Sequence, residues 1–247
     1  SPYIFNNIIH SGNDAGVIYD DNSGGKIESN EIYNNSFAGI EIKGTSNPSI
    51  LSNQIHTGKE AGILVHESGR GIIARNDIFD NNFAGIEVRN KANPKITRNR
   101  VHGGRHAGIF FHNDARGSIK ENEISNNMRS GIAMELNANP TVEKNIIKGN
   151  GEAGIRISKR SSGLFQYNEI VSNSLSGVEI SGDSRPRLAS NIISFNLGGI
   201  MLHNKGGGEI TDNDLRYNQK GSIYVSEDSF ANLVESNNMV QTGHSIN

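Results

Sequence analysis

The 247-residue chain contains no cysteine, so neither a disulfide framework nor a thiolate metal site is open to it. It also lacks an excess of either charge. Lys and Arg number 24 against 26 Asp and Glu, and no basic stripe stands out of the kind that holds nucleic-acid phosphates. Apolar residues make up 34% of the chain and form no run long enough to span a bilayer. Proline is scarce, and no Pro/Gly/Ser-rich linker interrupts the chain. One domain is therefore expected over 1–240, followed by a polar tail over 241–247. The chain opens within a repeat unit, at Ser1-Pro2-Tyr3-Ile4, as a piece excised from a longer protein would.

What is abundant is repetition. Asparagine returns every 23 residues at Asn7, Asn30, Asn53, Asn76, Asn99, Asn122, Asn145, Asn168 and Asn191, then slips by one residue to Asn213. A Gly-aliphatic pair keeps the same phase, as in Gly39-Ile40, Gly62-Ile63, Gly85-Ile86 and Gly108-Ile109. Such a period marks a repeat architecture. Within each unit the apolar runs are too short for a helix, and Gly39-Ile40-Glu41-Ile42-Lys43 alternates as a half-buried strand does. In the second unit the pattern predicts strands at 26–29, 31–33 and 40–43. Three short strands per unit describe one coil of a single-stranded parallel β-helix, with about ten coils stacked about 4.8 Å apart. A right-handed coil follows from the hand of parallel crossovers. A leucine-rich horseshoe has a similar period, but its Leu-x-x-Leu-x-Leu pattern is absent.

Stacking concentrates the few apolar residues. Ile27, Ile50, Ile73, Ile96, Ile119, Val142, Phe165 and Leu188 form one inward column, and Ile32, Ile55, Ile78, Val101, Ile124, Ile147, Ile170 and Ile193 a second. The Gly-aliphatic position supplies a third. The asparagines are expected to take the left-handed backbone of a corner and to bond one another through their amides. A 46-residue super-repeat overlies the first six coils. Ile-His or Val-His marks the odd ones, and the even ones end in Asn47-Pro48, Asn93-Pro94 and Asn139-Pro140.

The run Asn93-Pro94-Lys95-Ile96-Thr97-Arg98-Asn99-Arg100-Val101-His102-Gly103-Gly104, followed by Ala107-Gly108-Ile109, resembles the β-helix repeats of F-box ubiquitin-ligase adaptors. Ile119-Lys120-Glu121-Asn122-Glu123-Ile124-Ser125-Asn126-Asn127 is similar to their alternate repeat, and the resemblance covers roughly coils one to nine. More broadly the unit is similar to the carbohydrate-binding and sugar-hydrolase type of β-helix repeat, which also occurs in periplasmic copper-maturation proteins and alginate epimerases. The adaptor resemblance implies recruitment of a protein substrate. An F-box helical segment and a cysteine-rich zinc module are absent from this sequence.

Outward positions on the strand after the Gly-aliphatic pair are the natural place for function. Ile18, Glu41, Leu64, Glu87 and Phe110 form one such column, with Lys43, His66, Arg89 and His112 beside it. Leu64 and Phe110, read as exposed apolar anchors, with Glu41, Glu87, His66, Arg89 and His112 around them, are the expected partner-binding residues. Cover by a terminal segment is the structural alternative. A stacked stripe of His10, Tyr33, His56, Phe79 and His102 either covers a corner or holds a sugar ring. Glu41 and Glu87 meet the spacing of paired glycosidase carboxylates, as pairs on any periodic surface do. The Gly-His-Gly motif of polygalacturonases and the Asp-Pro-His motif of alginate epimerases are absent. No catalytic residue, metal or cofactor is expected. The sequence reads as a non-catalytic binding or scaffold β-helix for a protein partner. The alternative is a polysaccharide-binding or polysaccharide-modifying β-helix, acting as a hydrolase, lyase or epimerase.

Overall fold

The computed structural model describes residues 2–241, so the expected tail lies, apart from residue 241, outside the described residues. The chain winds into a parallel β-helix of three sheets. The first has 11 strands, from Tyr3–Phe5 to Leu233–Ser236; the second has 9, from Ile8–His10 to Ile192–Ser194; the third has 10, from Val17–Tyr19 to Ile223–Val225. Each strand pairs in parallel with its equivalent one coil away, as Ile27 with Ile50 and Ile86 with Ile109. Strands of the second coil run Lys26–Glu28, Glu31–Tyr33 and Ile40–Ile42, as the alternation predicts. The first and last stop one residue short of that prediction, because Ser29 and Gly44 turn the chain at φ 57° and 59°.

The inward columns are sealed. Ile27, Ile50, Ile73, Ile96, Ile119, Val142, Phe165 and Leu188 are fully buried, and the second and third columns join them in one continuous core. Alanines Ala38, Ala61, Ala84, Ala107 and Ala153 fill the tight second corner.

The asparagines form the expected ladder of amides, but the left-handed backbone is not theirs. From Asn30 to Asn238 each Nδ2 donates to the Oδ1 one coil on, at 2.9–3.0 Å. The same Oδ1 accepts the backbone N–H of the preceding rung, as Asn99 Oδ1 does from Asn76 N at 3.0 Å. The left-handed backbone lies one residue earlier, at Ser29, Ser52, Arg75, Arg98 and Glu121. The asparagine thus serves as an inward amide that caps the bend its neighbour makes. A second ladder runs through Asn127, Asn150, Asn173, Asn196 and Asn218 at 3.0–3.2 Å.

The super-repeat has a steric cause that extends it to all ten coils. Pro2, Gly25, Pro48, Gly71, Pro94, Gly117, Pro140, Gly163, Pro186 and Gly208 occupy one column, in strict alternation. These glycines have φ between 127° and 140°, a region L side chains rarely adopt. A Cβ at Gly25, Gly71, Gly117 or Gly163 would lie 2.5–2.7 Å from the carbonyl oxygen of the proline one coil before. Each such carbonyl accepts the N–H that follows the glycine, as Pro48 O does from Ile72 N at 3.0 Å.

The slip to Asn213 has an equally local origin. Asn173 and Asn196 pair at a separation of 23, but Val178 pairs with Ile200, a separation of 22. The corner Asn196-Leu197-Gly198 is therefore one residue shorter than Asn173-Ser174-Leu175-Ser176. A pocket of about 550 Å³ opens there on the third sheet, between Gly198, Gly199, Lys220 and Tyr224.

Two substitutions test these assignments. Ile86→Asp places an unpaired charge in the core and is expected to abolish cooperative unfolding in a thermal melt. A variant melting within a few degrees of the parent would place Ile86 outside the core. Asn99→Ala orphans the buried N–H of Asn76 and two rungs of amide bonding, and should cost on the order of 3 kcal/mol in urea denaturation. A loss below about 0.5 kcal/mol would show the ladder to be decorative.

Candidate functional site

The outer face of the third sheet gathers the side chains that carry chemistry. Its strands are three to five residues long and in register, so residues 23 apart share a column and residues 25 apart lie diagonally across adjacent coils. Glutamates of one column thereby meet histidines of the next. Glu41 Oε1 lies 2.8 Å from His66 Nε2, Glu87 Oε1 lies 2.9 Å from His112 Nε2, and Glu179 Oε1 lies 2.9 Å from His203 Nε2. A carboxylate only accepts, so each Nε2 donates, and in the neutral imidazole Nδ1 carries the lone pair; His66 Nδ1 also lies 3.5 Å from Glu67 Oε1. Arg89 Nε stands 3.8 Å from Glu87, beyond hydrogen-bond reach, and has no other partner among the described residues.

The expected exposed anchors are not exposed. Leu64 is 2% accessible and Phe110 7%, while Glu41, Glu87 and His66 are also buried. These side chains do point away from the core, but neighbouring rungs and the second-corner loop cover them. Phe83 and His106, from that loop, stack at 4.4 Å; Phe83 meets Phe110 edge-on at 6.1 Å, and Phe110 stacks on His112 at 4.5 Å. Phe110 is thus part of a small outer core with Ala84, Ala107 and Ala133. Of the seven candidate residues, Leu64 and Phe110 are packing, Glu41–His66 and Glu87–His112 are pairs, and Arg89 is a half-buried cation beside the second.

The aromatic stripe closes on itself. His10, Tyr33, His56, Phe79 and His102 stack with centroids 4.6–5.3 Å apart and planes within 12°. Each internal ring has both faces covered by its neighbours, so only the edges of Tyr33, His56 and Phe79 face outward and no sugar can lie on them. His102 Nε2 is held at 2.9 Å by Asp77 and His56 Nε2 at 3.3 Å by Glu31, which completes a corner cover.

A cluster beside the Glu–His pairs escaped the reading of the sequence. Phe83, His106, Arg129 and Glu152 succeed one another every 23 residues along the second corner, next to the outward column of Phe110, Ala133 and Arg156. Burial pushes the His106 imidazole below its ordinary value, and the guanidiniums of Arg129 and Arg156 push it further, against a weaker pull from Glu152 and Glu87. His106 is accordingly neutral near pH 7. Its Nδ1 and the Nε of Arg156 are both buried without a hydrogen-bond partner among the described residues. The 23-residue spacing held this juxtaposition, but it becomes legible only once the corner is known to lean over the sheet.

Comparison with known proteins bears on fold first. No curated protein matches the chain in sequence. Among solved structures, the periplasmic alginate epimerase AlgG is 17% identical, with a TM-score of 0.74, over 86% of this chain and 61% of its own. The A-module of the Azotobacter vinelandii mannuronan C-5 epimerase AlgE6 is 15% identical, with a TM-score of 0.73, over 94% of this chain and 80% of its own. The Agl-KA catalytic domain is 11% identical, with a TM-score of 0.59, over 96% and 58%. The chain therefore spans less than two thirds of the first of these, and at such identities the likeness is one of fold. The two epimerases are named for acting on polysaccharides and neither for recruiting proteins. This corrects the expectation of a non-catalytic scaffold for a protein partner, and nothing in these likenesses reaches the F-box adaptors. The right handed beta helix region model matches residues 1–139 and 130–246, and the chain belongs to that family.

Proposed function

We propose that the chain binds a polysaccharide along the outer face of the third sheet and modifies it by proton transfer, as an epimerase or lyase. One observation carries this reading: the Glu87–His112 pair, 2.9 Å between Oε1 and Nε2, in the middle of a long flat face. A carboxylate that holds Nε2 fixes the tautomer and orients the ring, and the free Nδ1 is then a base with a defined direction. Arg89 beside it supplies a cation against the charge that grows as a carbon-bound proton leaves.

Hydrolysis fits the same face poorly. A glycosidase needs two carboxyl groups facing one bond, one as proton donor. Glu41 and Glu87 each hold an imidazole and are nearly closed to solvent, with Leu64 packed between them. The two epimerases of similar fold act on polysaccharides by name, which supports the same class of substrate here. Since Asp-Pro-His is absent, the base in this reading is His112, oriented by Glu87.

The test is a panel of alginate, mannuronan, polygalacturonate and a neutral glucan. Products would be followed by anomeric NMR for epimerisation, ultraviolet absorbance for unsaturated ends and a reducing-end assay. The parent is expected to change at least one acidic polymer without net hydrolysis. His112→Ala should slow this by about 10²-fold or more, with its melting temperature within a few degrees of the parent. Equal turnover by His112→Ala, or no change in any polymer, would sink the proposal.

A further inference from the structure

The cluster at His106 is not used by the proton transfer proposed above, and it is chemically incomplete. The described residues contain five buried side-chain nitrogen or oxygen atoms without a hydrogen-bond partner, and three belong to Arg89, His106 and Arg156 around this face. Buried donors are normally paired, and each exception asks for a reason. Arg156 lies in register between Ala133, a methyl group that accepts nothing, and Glu179, whose Oε1 is taken by His203 at 2.9 Å. Neither Arg156 nor Arg129 makes an ion pair among the described residues. Glu152, the remaining carboxylate here, lies 3.3 Å from the Ser130 hydroxyl. Arg129, one rung on from His106 along the corner, and Arg156, two rungs on, therefore bring two guanidiniums to act on the imidazole, and among the described residues neither is neutralised by an ion pair, with the Glu152 carboxylate beside them bonded to Ser130.

We infer that His106, Arg129 and Arg156 form a subsite for an acidic substituent, a carboxylate or a sulfate ester, on a sugar displaced along the chain from the one at His112. Arg156 stands two rungs beyond Phe110 in the column, about 10 Å at the strand spacing, while His106 lies on the rung of Phe110, 5.5 Å from its ring, so the subsite starts beside the sugar at His112 and extends along the chain away from it. A planar or tetrahedral oxyanion accepts from a guanidinium Nε–H and a neighbouring N–H together, which is the geometry arginine offers best. Neutral His106 adds a donor without the cost of a third buried positive charge. The subsite would give the face a preference for polymers whose acidic sugars follow one another. This inference rests on the reading of the face as polysaccharide-binding.

The test separates the two. Imidazole resonances of His106 are followed by NMR as glucuronate, inorganic sulfate or methyl glucoside is added to the whole chain. Glucuronate and sulfate are expected to move the His106 signals saturably and methyl glucoside to leave them still; the tighter of the two anions identifies the substituent. Arg156→Gln should weaken that binding at least tenfold, as should Arg129→Gln, whose side chain is exposed and whose loss leaves the fold intact. Anions that leave His106 unmoved, while acidic oligosaccharides still bind, would overturn the subsite and spare the polysaccharide reading. Binding unchanged in both variants would also overturn it. Anions bound at His106 with no polysaccharide bound or modified would uphold the subsite and sink the polysaccharide reading.

Discussion

Everything in this molecule depends on one pitch. A parallel strand pairs only at its fixed hydrogen-bonding distance, and three sheets wound on one axis must all advance by that distance in each turn. The asparagine ladder enforces it from the side chains. Because Oδ1 of each rung accepts both the backbone and the amide of the rung before, a coil that drifted by half a residue would break both bonds at once. The inward isoleucines supply the drive to bury, but apolar contact is non-directional and tolerates sliding. The amides do not, and they lock the register on which every diagonal contact on the surface relies.

Much of the fold was legible because a solenoid writes its structure in one dimension. Residues that touch are 23 apart, so the columns of Ile27 and Ile32 could be read off directly, and their burial follows. What failed was the step from direction to exposure. Leu64 and Phe110 do face outward, as alternation demands, yet outward on a flat sheet means against the next rung, and Phe83 and His106 lean in from the corner. The role of asparagine was half legible. Its amide was expected to bond up the stack, but left-handed φ fell on Arg75 and Glu121, residues with no propensity to advertise it. The Glu–His pairs needed an offset of 25, one coil plus one step on the same face, rather than the repeat itself.

The outer face shows how a rigid periodic frame makes room for irregular chemistry. Inward positions must repeat, since any change of volume is felt by the coils on both sides. The outward column is free to change from Glu87 to Phe110 to Ala133 to Arg156 within four rungs, because each strand hangs from bonds the outward side chain does not share. Chemistry placed on such a face inherits the spacing of the frame, and a ligand with its own repeat meets a ruler.

The alternation of proline and glycine limits how such a chain can lengthen. Above each proline carbonyl there is space for a glycine and for nothing with a Cβ, and above each glycine as far as Gly163 comes a proline again. Copying a single coil into the stack would set like upon like: proline would carry its ring into the carbonyl below, and glycine would leave a gap over glycine. The smallest piece of gene that can be duplicated with neither a clash nor a gap in this column therefore encodes two coils, 46 residues.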